Sequence, residues 1–177
     1  MRKVIYGGAC SLDGLLADRD SAVDWLHFSK DVEAIMKVSW ASADTVLLGR
    51  KTWEWASSQP GAPDDPSVAG VTSYVFSRTL TSIPDKKARL VTSDAGAFVR
   101  QLKAAPGKDI IVMSGGNFAT SLLKAGVIDE IGLNIHPLLL GAGPQAFLDT
   151  GGRIQLKLME CRQLHGECVF VRYAVKH

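Results

Sequence analysis

The chain has 177 residues, with 20 Lys and Arg against 18 Asp and Glu, a net charge of +2, and 46% hydrophobic residues. That balance fits one folded domain with a sizeable core and excludes a disordered chain. So small a charge also excludes a binder of nucleic acid or other polyanions through a basic surface, and the cations that matter must act locally.

No window reaches the roughly 18 apolar residues of a membrane span, and the N-terminus lacks a signal-peptide pattern. Cys10, Cys161 and Cys168 are odd in number and not in C-x-x-C spacing. A disulfide framework or a zinc site is therefore not expected, and the reading is of a reduced, cytoplasmic protein without a metal.

Residues 3–9 (KVIYGGA) form a short apolar run with Val, Ile and Tyr, as a buried strand requires. Ser11-Leu12-Asp13-Gly14 breaks it as a turn. Apolar residues at Val32, Ile35 and Met36 recur at helical spacing over 31–42. A strand is expected at 45–48, a short helix at 52–57, and an exposed loop at 58–70, which holds three prolines, two glycines and two aspartates. Further strands follow at 73–76 and 90–92. Residues 94–105 read as an amphipathic helix capped by Ser93 or Asp94 and stopped by Pro106-Gly107. Strand 109–113, helix 118–125 and strand 130–136 come next. Residues 138–143 then close that strand with glycines. Residues 154–164 and 167–175 read as a hairpin around a two-residue His165-Gly166 turn. Strands alternating with helices, then a hairpin, describe one α/β domain with a mainly parallel sheet and an antiparallel edge.

In an open parallel sheet, ligands sit at the carboxyl ends of the strands. Three such ends carry matching chemistry: Gly49-Arg50-Lys51-Thr52, Ser77-Arg78-Thr79, and Gly115-Gly116-Asn117 opening a helix. Glycine lets backbone approach a phosphate, free N–H groups at a helix start favour an anion, and Arg offers a planar donor fork. Taken singly, these are a tight turn, surface charges and another turn. Together on one edge they point to a ligand with several phosphates, most simply a dinucleotide. The G-x-G-x-x-G fingerprint of an ordinary Rossmann dehydrogenase is missing.

The first strand with Ser11-Leu12-Asp13-Gly14, the element TVLLGRKTWE (45–54), VMSGGN (112–117) and HPLLLGAGPQAF (136–147) together resemble the dihydrofolate reductase-like superfamily. Within it, the chain is most similar to the C-terminal reductase domain of the bifunctional riboflavin-biosynthesis deaminase/reductase and its stand-alone relatives. The resemblance spans nearly the whole chain. It implies a three-layer α/β/α fold and an NADPH-dependent reductase. Gly49, Arg50, Lys51 and Thr52 would receive phosphates, and Ser77 and Arg78 the 2′-phosphate. Gly115, Gly116, Asn117 and Phe118 would line the pyrophosphate and nicotinamide, with Ala9 and Leu16 flanking the nicotinamide ring. No H-x-E followed by P-C-x-x-C occurs, so the zinc deaminase half is not represented.

On the substrate side, Asp13, Trp25, Met36 and Trp53 are candidates to face a planar heterocycle of pteridine or aminopyrimidine type, with His27 a surface histidine. Asp31 is the candidate acid, as proton donor or orienting carboxylate, with a plain helix N-cap as its alternative. No basic cluster stands ready for a substrate phosphate. Relatives imply a homodimer joined through the C-terminal hairpin. A true dihydrofolate reductase and a non-catalytic nucleotide-binding dimer module remain the two alternatives.

Overall fold

The computed structural model describes residues 1–58, 70–84 and 88–177. Its elements in chain order are β1 (Val4–Ser11), α1 (Lys30–Ser42), β2 (Ala43–Gly49), α2 (Arg50–Ser58), β3 (Thr72–Phe76), β4 (Ala88–Val91), α3 (Ala95–Ala104), β5 (Asp109–Met113), α4 (Gly116–Lys124), β6 (Glu130–His136), β7 (Leu156–Gln163) and β8 (Val169–Val175). Most of the loop expected at 58–70 lies outside the described residues.

One sheet runs β4-β3-β2-β5-β1-β6-β8-β7, parallel through β6 and antiparallel at β8 and β7. The path explains its layers. From β1 the chain moves outward to β2, β3 and β4, then returns to β5 and crosses β1 to reach β6. Because such crossovers are right-handed, the two directions place their helices on opposite faces: α1 and α2 on one, α3 and α4 on the other. The reversal beside β1 is the switch point at which ligands sit in this kind of sheet.

The two faces are packed unequally. Val4, Tyr6, Leu47, Ile110 and Val112 of the central strands meet Val99 of α3 and Leu122 of α4 in one buried cluster. Their alternation in β1 and β2 is the period of two that puts every second side chain inward. Helix α1 buries none of its residues fully, and Met36 and Val38 are exposed. At the amino ends of the strands the buried guanidinium of Arg2 joins Asp44, Thr45 Oγ1 (2.6 Å) and the Lys108 carbonyl (2.6 Å), tying β1, β2 and β5 together.

Most expected elements stand where sequence periodicity places them, β5 and β6 to the residue. Asp94 caps α3 by accepting from the Ala97 N–H at 2.7 Å. The turn of the final hairpin is longer than expected. Leu164 N donates to the Cys168 carbonyl at 2.8 Å, enclosing His165, Gly166 and Glu167. Gly166 (φ 78°) and Glu167 (φ 59°) are both left-handed. A three-residue turn with a left-handed last residue matches strand twist as a two-residue primed turn does, and Gly166 alone does not distinguish them.

Candidate functional site

The floor of the site is a gap in the middle of the sheet. β1 lies between β5 and β6, where a strand of a doubly wound sheet is normally covered on both faces. Gly8 is nonetheless exposed, and a Cβ added there would meet nothing within 4 Å. Ala9 and Leu16 are half-buried, and Met113, which ends β5, is exposed. The carboxyl ends of the central strands are open.

The rim of this gap is made of two strand-to-helix junctions drawn tightly together. β2 passes from Gly49 directly into α2 at Arg50, and Gly116 and Asn117, expected to precede the second helix, already belong to the first turn of α4. The Gly49 N–H donates to Ser114 Oγ at 3.1 Å, and the Gly115 N–H donates to Thr52 Oγ1 at 3.2 Å. A Cβ on Gly49 would stand 2.6 Å from Ser114 Oγ, and one on Gly116 would be driven into the Gln145 carbonyl. These two glycines serve close approach of backbone. Gly115 instead faces open space and, as N-cap, supplies no side-chain cap to the first turn of α4, nor does any other described residue. Unpaired N–H groups at an uncapped helix start attract an anion.

Cations surround that opening. Gly49 pairs in register with Phe76, so Arg50-Lys51 and Ser77-Arg78 leave neighbouring strands at one level, about 4.8 Å apart. Lys51 and Arg78 are exposed. Arg50 Nη1 meets both Glu54 carboxylate oxygens, at 2.9 and 3.3 Å, one helical turn on. That pair is solvent-facing and worth at most about 1 kcal/mol, so a phosphate dianion readily displaces it. Ser77 is buried, and its Oγ accepts from the Thr79 and Leu80 N–H groups at 3.2 and 3.0 Å. Its hydroxyl thus builds the turn that presents Arg78. Phe118 is half-buried and packs on Phe76, with ring centroids 4.7 Å apart. Asn117 is exposed beside it.

The other side of the gap is assembled from distant segments. Asp13 accepts from Ser11 Oγ at 2.5 Å, from Gly141 N at 2.8 Å and from Leu140 N at 3.2 Å. The Ser11 hydroxyl, followed by the Gly141 amide, holds this carboxyl below its usual range. Leu16 N to Pro144 O (2.7 Å) and Ala146 N to Gly14 O (2.8 Å) complete the clasp between the 11–17 and 138–146 loops. Asp13, a candidate substrate contact by sequence, fastens these loops through three of its acceptor sites.

Asp31 sits in the first turn of α1, whose N-cap is Ser29 and not Asp31. Its Oδ2 accepts from His165 N at 3.1 Å and faces His165 Nδ1 at 2.7 Å. Hydrogen bonding by His165 lowers its pKa, so the carboxylate is ionised at neutral pH. β8 runs antiparallel to β6, which brings this hairpin turn to the carboxyl edge.

Trp25 donates its indole N–H to Ala22 O at 3.3 Å and stands edge-on to His136, 5.2 Å away. With His27, Pro137, Leu138 and Gly166, these two rings line a cavity of ≈ 230 Å³. Met36 is exposed on α1, and Trp53 is half-buried on α2, with Nε1 buried and without a partner among the described residues. Sequence reading assigned no role to Asn134 or His136, which are 7% and 2% exposed. The available signal was that Glu130, Asn134 and His136, the polar residues of an otherwise apolar strand, share one parity, with Gly132 between the first two.

Comparison with known proteins agrees with this architecture. Residues 2–170 match the RibD C-terminal domain family. The uncharacterized protein YyaP of Bacillus subtilis (strain 168) is 32% identical over 180 residues, covering 97% of this chain and 94% of its own. A putative riboflavin biosynthesis protein from Shewanella sp. PV-4 has a TM-score of 0.87 at 25% identity, covering 99% of both chains. Dihydrofolate reductase from Enterococcus faecalis, complexed with NADP(H) and RAB-propyl, shares the fold with a TM-score of 0.71 at 12% identity, covering 99% of this chain and 97% of its own. The protein belongs to the RibD C-terminal domain family, on a dihydrofolate reductase-like α/β sheet with an antiparallel C-terminal hairpin.

Proposed function

We propose that this protein is an NADPH-dependent reductase acting on a small heterocycle of the pteridine or aminopyrimidine kind, similar to a 5-amino-6-(5-phosphoribosylamino)uracil reductase. One observation carries the reading: Arg50, Lys51 and Arg78 emerge at one level beside the uncapped start of α4, next to an uncovered stretch of β1. The residues present suit the coenzyme. Gly115 offers open backbone for a pyrophosphate, and Thr52 Oγ1 accepts from Gly115 while no described residue takes its hydroxyl proton. Arg78, on a turn built by Ser77, and Arg50, freed from Glu54, are the pair that discriminates a 2′-phosphate from a bare ribose. Ala9 and Leu16 flank the nicotinamide, and Asn117 and Phe118 close its other side.

When bound, the nicotinamide supplies a hydride to a C=N or C=O of the substrate. The chain's own residues bind, orient and exclude water. Trp25, Met36 and Trp53 present apolar and aromatic surface to the ring. Asp31, ionised and braced by His165, serves as an orienting carboxylate for an amine or N–H of the substrate. Asp13 holds the loops that carry Leu16.

The assembly we propose is a homodimer joined through β7 and β8. β7 is an outer strand with Leu158 54% and Met159 50% exposed, and β8 has no fully buried residue. Such an edge calls for cover. Among the described residues, no helix is long and apolar enough to cross a membrane. Three free cysteines suit a reducing compartment, so we place the protein in the cytoplasm.

A calorimetric titration tests the coenzyme assignment. Wild-type protein is expected to prefer NADPH to NADH, and Arg50→Ala and Arg78→Ala to weaken NADPH binding with little effect on NADH. An unchanged preference in both variants contradicts the reading. A monomer in analytical ultracentrifugation contradicts the dimer.

A further inference from the structure

Three buried side-chain polar atoms lack a partner among the described residues, and Asn134 Oδ1 is the only acceptor of the three. Asn134 lies in β6 opposite Ala9 of β1 and Phe170 of β8. With a period of two it shares its sheet face with Gly132 and, across the register, with Gly7. Gly7 and Ala9 are half-buried and carry nothing beyond a Cβ, so a strip of this face is bare there, whereas Gly132 is buried beneath the Phe170 ring. That ring bounds the strip, 3.6 Å from where a Cβ on Gly132 would stand. α1 lies on this side of the sheet and buries none of its residues fully.

Folding gains nothing from an amide oxygen buried without a donor, since an apolar residue of similar size avoids the penalty. Yet this amide is held in place. Asn134 Nδ2 is 3.2 Å from His136 Nε2, His136 Nδ1 is 3.4 Å from Cys168 Sγ, and Cys168 Sγ donates to Gly166 O at 3.5 Å. His136 and Cys168 are 2% and 1% exposed. One consistent assignment of protons runs along this chain. The Cys168 thiol donates to the Gly166 carbonyl, His136 Nδ1–H donates to the sulfur, and Asn134 Nδ2–H donates to His136 Nε2. Each donor points toward the hairpin turn, and Oδ1 is left facing away as the free acceptor. Burial, with His27 adding to it, lowers the pKa of His136 and keeps the ring neutral, as this pattern requires. Burial likewise keeps Cys168 a thiol.

We infer that Asn134 is a substrate-orienting residue whose Oδ1 accepts a hydrogen bond from a ring N–H of a lactam-bearing heterocycle laid on the bare strip. His136 and Cys168 are positioning residues that hold the amide in that orientation. The inference rests on the reductase reading and adds to it the polarity of the substrate: the ring edge that meets β6 must carry a donor. A site with a fixed buried acceptor rejects a ring lacking that donor, because the acceptor is then left unpaired.

Two pyrimidines make the test: 5,6-diaminouracil, which has ring N–H groups, and 5,6-diamino-1,3-dimethyluracil, which has none. Each is titrated calorimetrically into protein saturated with NADP⁺. Wild type is expected to prefer the N–H compound by about tenfold. Asn134→Thr and Asn134→Val have one shape but differ in the acceptor oxygen. The preference should persist in the threonine variant and fall to within about twofold in the valine variant. Equal preference in the two variants overturns the inference, as does a wild type that binds neither pyrimidine. A ¹⁵N spectrum of the free wild-type protein tests the positioning role without any substrate. His136 should be the neutral Nδ1–H tautomer at pH 7, and an Nε2–H tautomer would reverse the amide and overturn the inference. NADPH affinity, read on the same samples, should be unchanged in both variants. If wild type binds no NADPH at all, the reductase reading itself has failed.

Discussion

The two sides of the cleft are built by different means. The side bearing Arg50, Arg78 and Gly115 is made from strand ends that pass at once into a helix (β2, β5) or a tight turn (β3), with main-chain N–H groups and side chains only one or two residues beyond the sheet. The side bearing Asp13, Asp31, Asn134 and His136 is made from contacts between segments more than 100 residues apart, as in Asp13 with Gly141 and Asp31 with His165. The first arrangement suits a coenzyme whose shape is fixed. The second is free to vary, because changing one loop re-aims side chains without moving the sheet.

The largest effect should come from breaking the stiff side at its tightest point. Gly116→Val drives a side chain into the Gln145 and Ala146 backbone, which cannot yield as a flexible side chain would. A loss of about 3 kcal/mol or more in urea unfolding is expected, with loss of NADPH binding. A variant of wild-type stability would mean that the α4 start and the 138–146 loop are not in contact. Next come the cations. Arg78→Ala should weaken NADPH binding roughly 10- to 100-fold, the worth of one charge-assisted contact to a phosphate. Its unfolding midpoint should not move, since Arg78 is exposed.

The distant-contact side should respond in the opposite sense, with small changes in coenzyme affinity and larger ones in loop motion. Asp13→Asn should speed hydrogen exchange at the Leu140 and Gly141 amides by about tenfold while leaving β5 protected. Acid provides the same test without mutation. Asp13 and Asp31 both have folded-state pKa values below their unfolded values, so their contribution is present above about pH 4 and is lost as pH falls through the lowered folded values. The clasp should therefore open in acid before the core unfolds, seen as exchange at Gly141 rising ahead of exchange at Val112. Simultaneous loss of protection would contradict it. Among variants on this side, the smallest effect on stability is expected from His165→Gln, which removes an exposed partner of Asp31 and should shift unfolding least while lowering turnover.

This difference also governs what was legible in the sequence. β5 and β6 are short apolar runs with clear ends, and period and punctuation alone place them. The motifs of the side we assign to a coenzyme were legible for the same reason, since Gly49-Arg50-Lys51-Thr52 and Ser114-Gly115-Gly116 are local. Their detail was not: that Gly49 and Gly116 serve close packing, and only Gly115 faces open space, depends on neighbours 65 and 29 residues away. Asp13 and Asp31 were picked out as acids near the right edge. Their partners Gly141 and His165 come from the far end of the chain, which no local pattern announces. Asn134 and His136 went unassigned because a strand with a few polar residues on one face reads as an ordinary half-buried strand until its neighbours show that these two are inside.

The central claim is that junctions at the ends of β2, β3 and β5 together hold the phosphates of a reduced nicotinamide coenzyme. A crystal structure of the protein with NADPH tests it most directly. The account predicts the pyrophosphate at the first turn of α4 beside Gly115, the 2′-phosphate between Arg50 and Arg78, and the nicotinamide against Ala9. A coenzyme bound elsewhere, or bound here with its 2′-phosphate turned away from both arginines, would contradict it.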